Sequence, residues 1–192
     1  MKNNKSVDID LGGIEEGLRP SLLLHCCCAP CAAGCIERFT ERFDVTAFYY
    51  NPNITDIEER EKRFAELKRL MDEFGVETID GGDGDFEGLV KGLGSEPEGG
   101  SRCALCFKMR LERTAREAKN YDYFATTLTL SPLKNARLIN DIGVEAAKKE
   151  GSVYIRTDLK KRGGVLRSSE LCKKYSLYRQ NYCGCVYSRR KD

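Results

Sequence analysis

The chain reads as an α/β protein: a parallel sheet covered by helices on both faces. Two observations predict this. Short apolar or β-branched runs alternate along the 192 residues with longer stretches of helical periodicity, the order of a parallel sheet with crossover helices. The first run, Ser21-Leu22-Leu23-Leu24-His25, is apolar without alternation, as a strand buried on both faces should be. The length suits one domain, 19–192, preceded by a leader over 1–18.

The elements follow in order. After the first strand, Ile36, Phe39 and Phe43 share one face of a helix expected over 32–43. Val45 to Tyr50 is a second strand, stopped by Asn51-Pro52-Asn53. Thr55 and Glu58 match a capping box, opening a helix that carries Phe64, Leu67, Leu70, Met71 and Phe74. Gly75 ends it, and 76–79 is a third strand. A Gly/Asp loop (80–85) precedes a short helix over 86–93. Ser101 is the expected cap of a helix over 103–119. Tyr123 to Thr127 is a strand, 134–149 a helix, and Val153-Tyr154-Ile155 a last strand. The tail carries a helix over 168–179.

Ten cysteines punctuate this pattern. Cys26-Cys27-Cys28-Ala29-Pro30-Cys31 directly follows the first strand, where a nucleotide-binding fold carries its phosphate loop. Cys103-x-x-Cys106 opens a helix, whose free N–H groups favour thiolates. Cys183-Gly184-Cys185 lies near the C-terminus. Its spacing is poor for a chelate and suits a strained, redox-active dithiol. Cys35 and Cys172 fall inside amphipathic helices and read as core. No signal-like or membrane-length apolar run is present, so a cytoplasmic location is expected, where structural disulfides are disfavoured. The spacings Cys28-x-x-Cys31 and Cys103-x-x-Cys106 therefore suit a four-thiolate metal site, for zinc or an iron–sulfur cluster alike. His25, the only histidine, is either a proton donor beside that site or a satisfied group closing the strand.

Charge is uneven. From 156 to 192 there are eleven Lys and Arg against three Asp and Glu; the remainder has 21 against 27. Tyr175, Tyr178, Tyr182 and Tyr187 interleave with those cations, a composition that suits a nucleic-acid surface and equally a solvated helix face with core tyrosines.

Several segments together resemble the cobalamin-independent, QueH-type epoxyqueuosine reductases: His25 to Cys31, Tyr50-Asn51-Pro52-Asn53-Ile54, Glu96 to Phe107, Lys134-Asn135 with Asn140-Asp141-x-Gly143, and Tyr182 to Ser188. The resemblance runs over about 20–190. It implies a fold related to the adenine-nucleotide α-hydrolases (HUP, Rossmann-like) and reduction of epoxyqueuosine to queuosine at the wobble position of tRNA. It implies a [4Fe–4S] cluster on Cys27, Cys28, Cys103 and Cys106, and a redox-active pair at Cys183 and Cys185. Cys31 matches a family cysteine that could hold a second, mononuclear iron, with Asp83 preferred among Asp80, Asp83 and Asp85 as its acidic ligand. Cys26 falls on a variable position. The implied partners are the tRNA anticodon arm and an external electron donor, with no membrane.

Two other functions fit the residues. An ATP-dependent tRNA thiolase of the same broad fold should carry a Ser-Gly-Gly-x-Asp-Ser loop after the first strand, but here that place holds thiols and no glycine before Gly34. A zinc protein that binds nucleic acid is told apart by metal analysis.

Overall fold

A computed structural model describes Ile9 and residues 17–189. The strands β1 (Ser21–His25), β2 (Asp44–Tyr49), β3 (Glu77–Asp80) and β4 (Tyr123–Thr126) form one parallel sheet in the order β3-β2-β1-β4. Leu24 of β1 stands opposite Ala47 of β2 and Ala125 of β4. Side chains alternate across this sheet. Leu22, Leu24, Val45, Ala47, Tyr49 and Ala125 enter one core, with residues of α1 (Ala29–Ala33), α2 (Ile36–Thr40), α3 (Ile57–Glu73) and α7 (Gly164–Lys174). Leu23, Phe48 and Phe124 enter the other, with α5 (Ser101–Glu117) and α6 (Ala136–Glu150). The short α4 (Phe86–Leu89) packs at the edge of α5 through Phe86 and Val90. The expected two-faced sheet is thus present.

Several local expectations change. The helix over 32–43 is two helices, α1 and α2, broken at Cys35 (φ −141°). The cause is a close approach: a Cβ on Gly34 would lie 2.6 Å from the Gly164 carbonyl, at the start of α7. Arg38 then satisfies the freed Gly34 carbonyl at 2.9 Å. The cap of α3 is Asp56, which accepts the Glu59 N–H at 3.2 Å, not Thr55. At α5 the cap position is Gly100, and Ser101 is the first helical residue. The tail helix runs over Gly164–Lys174, not 168–179.

The expected last strand shrinks to a bridge between Phe124 and Tyr154. Beyond it, the Asn140 side chain takes the Thr157 N–H at 3.0 Å and carbonyl at 2.8 Å, the groups a longer ladder would need. Most of the expected leader, 1–8 and 10–16, lies outside the described residues. Ile9 bridges to Thr157 and packs against the larger core.

Candidate functional site

The chain runs outward from β1 through β2 to β3 and then returns to place β4 on the other side of β1. That reversal makes a crevice at the carboxyl ends of β1 and β4, the usual ligand position in an open α/β sheet. The first thiol loop fills it. The Cys26 N–H donates to the Phe48 carbonyl at 2.9 Å, and the Cys26 thiol is fully buried against Leu24. Asn51 donates to the Cys26 carbonyl at 3.0 Å. The Thr127 hydroxyl, just past β4, accepts the Cys27 N–H at 3.1 Å and donates back to its sulfur at 3.5 Å. Cys28 is the extended residue at the start of α1, and Cys31 sits inside that helix. The turn between strand and helix brings adjacent cysteines together: Cys27 and Cys28 Sγ are 3.8 Å apart. With Cys31 they form a trio whose sulfurs all lie within 4.8 Å of one another.

Hydrogen bonds from Cys28 and Cys31 hold Cys27 well below the usual thiol range, helped by Lys134 and Arg110. Donating to Cys27 pushes Cys28 and Cys31 up. Arg110 is 1% exposed. It donates to Asn51 Oδ1 and points Nη1 at Cys106 Sγ, 4.0 Å away. Burial opposes the Lys134 charge, and the sulfurs of Cys183, Cys27 and Cys31 outweigh it and keep the ammonium protonated. The charges that act most on both cations come from sulfurs, and Glu98 lines both adjoining cavities beside Lys134.

His25 is fully buried with both ring nitrogens satisfied. Nε2 donates to the Tyr50 carbonyl at 3.1 Å, so Nδ1 accepts from Thr126 at 2.8 Å. Burial and Arg110 lower its pKa to about 3. It is a neutral group closing the strand, not an acid beside the thiols.

Cys103 and Cys106 lie in the first turns of α5. Cys103 Sγ accepts the Gly99 N–H at 3.2 Å. Cys106 is packed with Phe86, Val90 and Cys185, and that burial pushes it up to about 11. At Cys106, burial acts against the helix end. A cavity of about 100 Å³ is lined by Cys103, Cys106, Phe107, Lys134, Cys183 and Cys185. A neighbouring cavity of about 230 Å³ is lined by Cys27, Cys28, Cys31, Arg110, Lys134 and Cys183. The four cysteines expected as one ligand set thus open onto two adjoining cavities, and Cys183 and Lys134 border both.

The thiol-rich donor set, backed by two cations that offset its charge, fits either an iron–sulfur cluster or a soft metal ion. The Cys27–Cys28 separation equals the edge of a tetrahedron with bonds of about 2.3 Å, which is about 3.8 Å. Asp83 lines neither cavity; it is 83% exposed and pairs with Arg60 at 3.0 Å. Asp80 also pairs with Arg60, at 2.6 Å, and Asp85 caps α4.

The tail's tyrosines are engaged within the protein. Tyr175 packs edge-on against Phe74. Lys62 lies over the Tyr178 ring, Arg63 over Tyr182 and Arg102 over Tyr187. Lys160 and Lys161 both pair with Asp158, and Arg167 with Glu37. Sequence patterns did not single out Arg63 or Arg110. Arg110 had a signal, since it stands four residues after Cys106 on the same helix face.

Comparison with known proteins bears on this arrangement. A family model described as epoxyqueuosine reductase QueH matches residues 22–191. The epoxyqueuosine reductase QueH of Streptococcus pyogenes serotype M1 is 40% identical over 186 residues, covering 92% of this chain and 73% of that protein. Those of Dehalococcoides mccartyi and Thermotoga maritima are each 36% identical, covering 89% and 88% of this chain and 93% and 90% of theirs. Among solved structures, the U34-tRNA thiolase NcsA from Methanococcus maripaludis with its [4Fe-4S] cluster aligns with a TM-score of 0.57 at 16% identity. The alignment covers 89% of this chain and 61% of that one, a likeness of fold. No described helix is long and apolar enough to cross a membrane.

Proposed function

The chain belongs to the epoxyqueuosine reductase QueH family, and we propose that it reduces epoxyqueuosine to queuosine at the wobble position of tRNA. The observation that carries this reading is the convergence of thiols at the crevice: Cys27, Cys28 and Cys31 on one side, Cys103 and Cys106 on the other, and Cys183 on both cavities. Turning an epoxide into an alkene takes two electrons and two protons and releases the oxygen as water. A dithiol closing to a disulfide supplies both, so epoxide plus two thiols gives alkene, disulfide and water. Cys183 and Cys185 are assigned that role, and an external donor then returns the disulfide to thiols.

Cys27, Cys28, Cys103 and Cys106 would hold a [4Fe–4S] cluster, which supplies electrons singly when bound. The chain's own contribution is electrostatic and steric. Arg110 and Lys134 offset the charge of the thiolates, and the Lys134 ammonium, bordering both cavities, can donate a hydrogen bond to a departing oxygen. Apolar Phe107 and Leu133 border the smaller cavity, suiting a flat base. A second iron held by Asp83 has no support in the geometry, since that carboxylate lines neither thiol cavity.

One observation favours a second reading of the metal. The compact spacing of Cys27, Cys28 and Cys31 suits a single tetrahedral ion. Anaerobic purification with iron, sulfide and zinc assayed together separates the two. Turnover of tRNA bearing epoxyqueuosine, read as loss of one oxygen from the nucleoside by mass spectrometry, tests the function. Intact substrate with fully loaded, reduced enzyme would overturn it.

A further inference from the structure

The C-terminal segment that carries Cys183 and Cys185 is not a free tail. One face of α3 holds it along its length. Glu66 accepts the Tyr178 N–H at 2.7 Å, and Glu59 accepts the Tyr178 hydroxyl at 3.0 Å. Four residues after Glu59, Arg63 is only 2% exposed. Its Nε donates to Glu59 at 2.7 Å, Nη1 to the Cys183 carbonyl at 3.1 Å and Nη2 to the Tyr182 carbonyl at 3.3 Å. Its guanidinium carbon lies 4.9 Å from the centre of the Tyr182 ring. The residue after Cys183, Gly184, has φ +109°, and a Cβ there would lie 2.6 Å from Ile54 and 3.1 Å from Arg63 Nη1. The backbone of 182–184 is therefore seated on the guanidinium with no room for a side chain at Gly184.

A second buried arginine secures the far end. Arg102, 3% exposed, donates to the carbonyls of Leu93, Gly94 and Glu96 and lies against the Tyr187 ring at 4.7 Å. Between the two arginines the thiols differ: Cys185 is buried beside Cys106, whereas Cys183 is half-exposed and borders both cavities.

We propose that Arg63 is the positioning residue of the Cys183–Cys185 pair: by fixing the carbonyls of Tyr182 and Cys183 it places the Cys183 thiol at the junction of the two cavities. This rests on the assignment of the pair as the redox couple. A planar fork that binds Glu59 on one edge and two carbonyls on the other does what a lysine cannot, since an ammonium is a point donor on a flexible stem. Closing a ring through Cys183-Gly184-Cys185 has to move the backbone that Arg63 clamps and that Gly184 wedges against Ile54, so these contacts oppose closure, and loss of Arg63 should make the couple easier to oxidise.

The test uses the full chain with Arg63→Met and Arg63→Lys. The Cys183/Cys185 couple is equilibrated anaerobically in dithiothreitol redox buffers and read by alkylation and mass spectrometry. The expected result for both variants is a shift of the thiol–disulfide equilibrium toward disulfide by about tenfold, roughly 30 mV lower in potential. Arg63→Lys should regain little of it, and iodoacetamide should label Cys183 several-fold faster than in the parent. Should Arg63→Met not fold, Arg63→Lys and Gly184→Ala carry the test, the latter crowding the same contact while keeping the charge. Unchanged or raised potential with unchanged Cys183 labelling in folded variants overturns the proposal. If the parent pair forms no disulfide in any buffer, the redox assignment fails instead, and the Cys183 labelling rate alone decides whether Arg63 positions the thiol.

Discussion

Replacing Arg110 with Met should separate the metal-bound protein from the metal-free one. Arg110 is almost fully buried, its nearest charges are sulfurs, and its Nε has no hydrogen-bond partner. Removing the guanidinium leaves Asn51 Oδ1 without its donor, a cost of about 1–3 kcal/mol. It also relieves a buried cation whose desolvation costs several kcal/mol. These terms oppose each other, so the metal-free variant should melt within a few degrees of the parent. With Cys106 as the proposed ligand, metal binding would make it a thiolate beside Nη1, which lies 4.0 Å from its sulfur. At an effective dielectric of about 20, that contact contributes up to about 4 kcal/mol, near a thousandfold in affinity. Anaerobic reconstitution with ferrous iron and sulfide, followed by gel filtration and metal assay, should therefore show strongly reduced loading in Arg110→Met. Thermal melts of both forms should show the loss confined to the loaded protein. Parental iron content, or an equal drop in the melting temperature of the metal-free protein, would refute the charge-balance account.

Three further outcomes are expected. Ser replacement of Cys27, Cys28, Cys103 or Cys106 should lower iron and sulfide together, whereas Cys183→Ala and Cys185→Ala should keep both and lose multiple turnover; full loading of Cys103→Ser and Cys106→Ser would remove α5 from the ligand set. For His25 the folded pKa of about 3 lies below the usual 6.5. The unfolded chain thus binds the extra proton, and stability should fall as pH drops from 6.5 toward 3, approaching about 1.4 kcal/mol per unit. Urea unfolding of His25→Gln between pH 6.5 and 4.5 should lack that component, and parallel pH curves for the two proteins would contradict it. Neutralising Lys160, Lys161 and Arg162 should weaken tRNA binding and flatten its salt dependence by about 0.7–0.9 for each phosphate no longer neutralised; an unchanged slope would place the RNA on another face.

Much of the fold was written locally. Leu22-Leu23-Leu24 read best as a strand buried on both faces, and the turn residues after β2 and the glycine after α3 marked where those elements stop. The thiol spacings 28–31 and 103–106 were legible because each sits at a helix start, and Cys35 and Cys172 are buried as expected, Cys172 inside α7 but Cys35 at the break between α1 and α2. Where the sequence misled, a distant group had intervened. The approach of Gly164 broke the helix after Gly34, and the Asn140 side chain ended the last strand early.

The cysteine content, the alternation of strands and helices and the one-residue spacing of Cys183 and Cys185 across a glycine were determined by the sequence alone, because each depends on residue type and short spacing. The partition of the thiols between two cavities was decided only in three dimensions. It depends on β4 returning beside β1, which brings Thr127 to Cys27 across 100 residues. The fate of the tail was also tertiary. Composition could not tell a tyrosine that stacks on RNA from one that stacks on Arg63 or Arg102, since the same ring face and the same cation serve both, and only the docking of 176–189 against α3 and α5 distinguishes them.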